Sequence, residues 1–127
     1  MANPNIVNVT KIYGTTTYLT PTNSTANVLL SNAASSGKVF KINQIVAANI
    51  DGTSAVNTTV SIDNLASGAG TDFPIVSTVS VPANASLIVV DKTTAIYLME
   101  NQSIVVTSGT ASKIAYSISY EDITDQP

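Results

Sequence analysis

Large apolar residues alternate with small or polar ones through Ile114, Ala115, Tyr116, Ser117, Ile118, Ser119 and Tyr120, the two-residue period of a half-buried strand. The even positions, Ile114, Tyr116, Ile118 and Tyr120, are expected to face the core, with the tyrosine hydroxyls seeking partners at its edge. Residues 103–107 read as another strand, and Ser108, Gly109, Thr110, Ala111 and Ser112 as the turn that joins the two in a hairpin. The apolar runs 95–99 and 86–90 read as strands buried on both faces, and 75–81 as an alternating strand. Before it, residues 65–71 are Gly-rich and offer little to pack, so they are the longest candidate for a mobile loop.

In the first half, residues 38–50 predict a long strand that ends at Asp51 and Gly52, a pair suited to a turn with positive φ, followed by a partner strand over 56–62. Residues 27–31 predict a shorter strand. Residues 6–13 close at Gly14, ahead of a Thr-rich connection over 15–20 leading to Pro21. Helical periodicity is absent. About eight or nine short strands punctuated by Gly, Pro, Asn and Asp predict an all-β, antiparallel β-sandwich, either jelly-roll or immunoglobulin-like. The expected organisation is one domain over residues 1–127, with possible extended arms at 1–9 and 121–127, since the extremes 1–5 and 121–127 lack the apolar content to pack firmly.

Composition narrows the function. The chain is 44% hydrophobic but only 10% charged, with net charge −3, against roughly 25% charged residues in an average soluble protein. That balance argues against disorder and leaves little surface charge to oppose association. The five basic residues are all Lys, too few and too dispersed for nucleic acid, and no run is apolar and long enough for a membrane span. The opening residues lack the features of a secretion signal, so synthesis in the cytoplasm is expected. The sequons at Asn8, Asn23, Asn57, Asn84 and Asn101 then reflect an Asn-, Ser- and Thr-rich composition.

Without His, Cys or Arg, no His-based triad, thiolate nucleophile, common zinc site or bidentate phosphate clamp can be built. Asp63, Asp72, Asp91 and Glu100 are formal candidates for paired carboxylates, but each sits singly at a predicted turn or strand end. Asp51 with Gly52, Asp63 with Asn64, and Asp72 offer oxygen ligands without the spacing of a calcium loop. No helix follows Ser67, Gly68, Ala69 and Gly70 to make a phosphate loop. The expectation is no enzyme, no cofactor and no metal. Sugar binding would need an aromatic platform, and with no Trp the supply is Tyr13, Tyr18, Tyr97, Phe40 and Phe73, of which Tyr13 and Tyr18 are expected to be buried at strand ends.

Ala2 to Val9 with Ile12, Tyr13 and Gly14, then Ser36 to Asn43, Asn49 to Gly52, Val81 to Ala85, and Ser119, Tyr120 and Glu121 together resemble small virion structural proteins of tailed bacteriophages, particularly marine and cyanobacterial ones. The likeness spans nearly the whole chain and rests on strand and turn residues, so no functional residue is carried over. Such proteins are similar to head decoration (cement) proteins. The resemblance implies a partner in the major capsid protein or another virion protein, a homo-oligomer with a trimer favoured, and a place on the capsid surface. A neck, tail or fibre-associated subunit and a carbohydrate-binding or adhesive module are the alternatives. The segment 6–12 is the first choice for an arm that adds a strand to a neighbour's sheet, with Ile6, Val7, Val9, Ile12 and Tyr13 as partner-binding residues. Its alternative is an ordinary edge strand of the same domain.

Overall fold

The computed structural model describes residues 6–7 and 9–124. It contains nine strands, β1 (Lys11–Leu19), β2 (Asn27–Asn32), β3 (Lys38–Asn49), β4 (Val56–Asp63), β5 (Asp72–Val81), β6 (Ser86–Val90), β7 (Ile96–Leu98), β8 (Gln102–Ser108) and β9 (Ile114–Thr124), and one 3₁₀ turn, Lys92–Thr94. Two antiparallel sheets result. One runs β1-β9-β3-β6, with β7 also on β3, and the other runs β2-β8-β4-β5. Set the three-residue β7 aside, and the first, last, third and sixth strands form one sheet while the second, seventh, fourth and fifth form the other. This is the jelly-roll order, and it decides between the two sandwiches left open by periodicity.

The core lies between the sheets. From β9, Ile114, Tyr116 and Ile118 are buried and Tyr120 is half-buried, as the alternation predicts. They meet Ile42, Ile45 and Ala47 of β3, Val56 and Val60 of β4, and Ile104 and Val106 of β8, each large side chain contributing about 1.5–3 kcal/mol by leaving water. The Tyr116 hydroxyl donates to the Thr107 carbonyl (3.0 Å) and pairs with the Thr58 hydroxyl, so it is satisfied across the sheet gap.

Two buried asparagines tie the sheets together. Asn32 of β2 donates to the carbonyls of Lys38 (3.0 Å) and Leu98 (3.1 Å) in the opposite sheet. Asn49 of β3 donates to the carbonyls of Val81 (2.9 Å) and Ser54 (3.0 Å) and accepts from the Asp51 amide (2.9 Å). Backbone groups left over where the chain crosses between sheets are satisfied by these amides.

The topology corrects several sequence expectations. β8 and β9 do not form a hairpin: β8 pairs with β2 and β4, whereas β9 pairs with β1 and β3. The 108–112 turn therefore carries the chain from one sheet to the other. Nor do β3 and β4 pair, for they too lie in opposite sheets. Gly52 has no positive φ, because the Asp51 carboxylate organises that turn by accepting from the Thr53 amide and hydroxyl (both 2.9 Å).

β6 and β7 are not buried on both faces. They are two pieces of one broken edge on β3, and Ile88 and Tyr97 point outward. The Thr-rich residues 15–19 are strand rather than connection, since β-branched Thr suits a pleated surface and Thr16 bonds Ser119 across it (3.0 Å). Residues 121–124 complete β9.

The loop over residues 64–71 is fastened down. The Asp63 carboxylate accepts from the amides of Leu65 (2.8 Å) and Gly70 (3.1 Å), Ser103 donates to the Leu65 carbonyl (2.8 Å), and Ser31 donates to that of Ala66 (2.7 Å). At its tip Gly68 has φ +77°, and a Cβ there would lie 2.7 Å from Val28 Cγ2. Only glycine fits both the dihedral and the gap, and the loop thereby covers Val105 on the outside of its sheet.

Candidate interaction surface

Of the four sheet edges, the one formed by β1 differs in kind. Its nine residues pair with β9 in unbroken register from Lys11 opposite Thr124 to Leu19 opposite Tyr116. Residues 11–16 and Tyr18 are exposed, so both faces of the strand and its free edge meet solvent along most of its length. Ile12 and Tyr13 are each 54% exposed and Tyr18 80%. No proline or register shift interrupts the strand, and Lys11 is its one charge. Such an edge offers a row of backbone donors and acceptors for another strand.

The other edges are shorter or broken. β2 is six residues long with a register shift after Val28. β5 carries Pro74, slips twice against β4, and turns Thr78 to φ +51°. The edge opposite β1 in the same sheet is split into β6 and β7 by the 3₁₀ turn.

Across the outer face of the β1 sheet run rows set by the register. Tyr18 stands beside Ser117, then Val46, then Ile88. Ile12 stands beside Ile123 and Val39, both buried although they lie outside the main core. Between these rows lie Gly14, Glu121 and Lys41, then Thr16, Ser119 and Gln44, so the intervening face is polar and carries one acidic and one basic side chain.

Of the partner-binding residues expected from sequence, Ile12 and Tyr13 are therefore in β1, while Ile6 (48% exposed), Val7 (90%) and the half-buried Val9 precede it. The remainder of the expected arms, residues 1–5, Asn8 and 125–127, lies outside the described residues. Tyr18 and Ile88 were not singled out as partner-binding. Tyr18 shares the two-residue period of Ile12, a signal that becomes visible once the Thr run is read as strand. Contrary to expectation, Tyr13 and Tyr18 are exposed: both stand on the edge strand β1, and Tyr18 faces away from the opposite sheet. Phe40, by contrast, packs on Tyr120 with ring centroids 5.0 Å apart.

Candidate chemistry stays scattered. Asp91 caps the 3₁₀ turn, and bonds from the Thr93 hydroxyl and amide hold its pKa below the usual carboxylate value. Asp51 is lowered likewise by the Thr53 amide and hydroxyl, and Glu100 accepts from the Gly37 amide (2.6 Å). Asp63 and Asp72 do meet, as the cross-strand pair that ends the β4–β5 ladder. There the hydrogen bond with Asp63, then burial, raises Asp72; Asp63 itself is lowered, its bonds outweighing the burial that opposes them. No group of three or more acidic side chains gathers as a metal centre among the described residues. A shallow cleft of about 440 Å³ opens where β3 bulges, lined by Asn43, Gln44, Asp91, Lys92 and Ser119. None of these is aromatic, so the cleft offers no stacking platform for a sugar.

No protein-family model matches the chain, and no curated protein matches it. Among solved structures, the fold is similar to that of a Bacillus endospore appendage protein, from a family of disulfide-linked pili, with TM-score 0.50 and 15% identity over 92% of this chain and 88% of that one. Weaker likenesses link it to infectious bursal disease virus, in a viral particle (TM-score 0.49, 6% identity, 92% of this chain and 32% of that one) and in a subviral particle (0.46, 11%, 91% and 32%). The chain spans about a third of the length of those viral proteins. At such identities the likeness to the appendage protein is one of fold, and the absence of cysteine rules out disulfide links in this chain. Among the described residues, the molecule is an all-β jelly roll with one open sheet edge.

Proposed function

We propose that the chain is a non-enzymatic structural subunit that works by assembly, and specifically a capsid decoration (cement) protein of a tailed bacteriophage. The observation that carries the assembly reading is the β1 edge: nine residues in unbroken register, exposed on both faces and without a blocking device. Its partner is the major capsid protein or another virion protein, met on the capsid surface, with the subunit acting as a homo-oligomer, most simply a trimer. A strand supplied by the lattice would continue the sheet through β1, with Ile12, Tyr13 and Tyr18 packing beside it. The decoration role itself rests on the resemblance of the strand and turn residues to small phage virion proteins. Low charge and a self-contained rigid fold suit a subunit that is soluble before assembly and adherent afterwards.

The test is copy number by quantitative mass spectrometry of purified particles, alongside solution mass. Hundreds of copies per particle are expected of a decoration protein. Tens or fewer would replace that role with a neck, tail or fibre subunit. A monomer absent from every particle would overturn the assembly reading altogether.

A further inference from the structure

The side chains along the open β1 edge are complementary to a second copy of themselves. When two copies of one strand meet antiparallel about a two-fold axis, opposed residues are an even number of positions apart, because alternate residues turn their amides to opposite sides. With the axis on Thr15, the middle of the strand, every residue of β1 is paired. Lys11 meets the partner's Leu19, Ile12 the partner's Tyr18, Tyr13 the partner's Thr17, and Gly14 the partner's Thr16. On the outer face, large side chains then oppose each other at both ends of the ladder and small ones at its centre. Apart from its chain neighbours, nothing lies within 4 Å of where a Gly14 Cβ would sit, so the partner's Thr16 has room there.

Other registers lose this match. An axis on Gly14 sets Tyr18 against the partner's Thr10, an axis on Thr16 sets it against the partner's Gly14, and both shorten the ladder. Directly opposed aromatic and β-branched residues stabilise a sheet, and a two-fold contact makes each such pair twice. Charge agrees with the register. Lys11 is the one charge of β1, and it stands at the opposite end of the ladder from its own copy, about 27 Å away and beyond the screening length of about 8 Å at physiological salt.

The edges also set the number of copies. β2 and β5 slip in register and the β6–β7 edge is broken. Among the described residues each subunit therefore brings one open edge, and a two-fold pair consumes both and stops. The path β6-β3-β9-β1 continues through the axis into the same four strands of the partner. A single strand pair is smaller than the roughly 800 Å² per partner of a standard interface, so the association is reversible.

We infer that the free subunit is a two-fold dimer in which β1 pairs antiparallel with β1 of a second copy, centred on Thr15. The pairing shields the edge until a lattice strand displaces it, a step that rests on the assembly reading, and the dimer precedes any oligomer on the capsid.

The test is sedimentation equilibrium of the full chain from micromolar to millimolar concentration, where a monomer–dimer equilibrium without larger species is expected. Thr15 is exposed, so Thr15→Lys keeps the fold, as circular dichroism checks, but sets two like charges face to face on the axis. Dimerisation should weaken about fivefold or more. Thr15→Glu should do the same, and mixing the two variants should restore the dimer. The chain has no cysteine of its own, so single cysteines read the register. Thr15→Cys meets its own copy with Cα atoms about 4.5–5.5 Å apart, within disulfide reach, and should oxidise to a covalent dimer, whereas Lys11→Cys should not. A chain that stays monomeric, sediments as a trimer, or cross-links at Lys11→Cys as readily as at Thr15→Cys overturns the inference. A monomer that binds purified particles would leave the assembly reading standing, and a dimer that binds none would remove that reading and keep this one.

Discussion

Strand β1 holds nine cross-strand pairs in unbroken register, whereas β5, at an edge of the other sheet, slips twice against β4 over ten residues. β5 also has Pro74, which offers no amide proton, and Thr78 at φ +51°, whose amide is taken by the Thr59 hydroxyl (2.9 Å). These are the devices by which natural sheets prevent edge-to-edge pairing. β1 has none of them. Both strands come from one Thr- and Val-rich chain, so composition does not explain the contrast. The same protein closes one edge and leaves another open, which marks the open one as the surface available for pairing.

The largest effect should come from charging the open edge. Replacing Ile12 and Tyr18 together by Lys is expected to weaken association with the partner lattice roughly 30-fold or more, the equivalent of one interface hot spot. Stability should change by only about 0.5 kcal/mol, as both side chains are exposed. Co-sedimentation and urea unfolding separate the two, and a stability loss as large as the binding loss would remove the distinction between edge and core.

Next is Gly68→Ala, expected to cost about 1–3 kcal/mol through its left-handed dihedral and the contact with Val28. Thermal melts check it, and lattice binding by β1 should be untouched. A variant that lost binding would show that the β1 edge and the loop act together. Opening the closed edge with Pro74→Val should then raise self-association severalfold in sedimentation velocity, with no gain in lattice binding. If β5 stays inert, its register slips protect it without the proline.

The smallest effect concerns the core beneath β1. Tyr116→Phe should cost about 0.5–1.5 kcal/mol by removing the bonds to Thr107 and Thr58. The phenol's pKa is raised above 10.0, chiefly by burial, against the lowering bond from Thr58. Above about pH 10 the unfolded chain therefore gives up this proton before the folded one does, and stability falls as pH rises. That alkaline fall should be shallower in Tyr116→Phe, as read by chemical unfolding across the range.

The sequence alone was enough for strand positions over most of the chain, for the inward face of β9, and for the absence of His, Cys and Arg chemistry. Each of these is local: a two-residue period names a face, and a missing residue type is missing everywhere. Which sheet a strand joins is not local. The pattern of β8 and β9 is that of a hairpin, and so is that of β3 and β4, yet the chain crosses between sheets at both turns. A period specifies which side is buried but not which strand lies alongside. The open edge was legible only in part, because Ile12 and Tyr13 stand out in sequence while Tyr18 is hidden behind a threonine run. The contact of Asp63 with Asp72 and the covered outer positions Val105, Val39 and Ile123 belong to tertiary structure alone, since they depend on what is laid over a strand after it has paired.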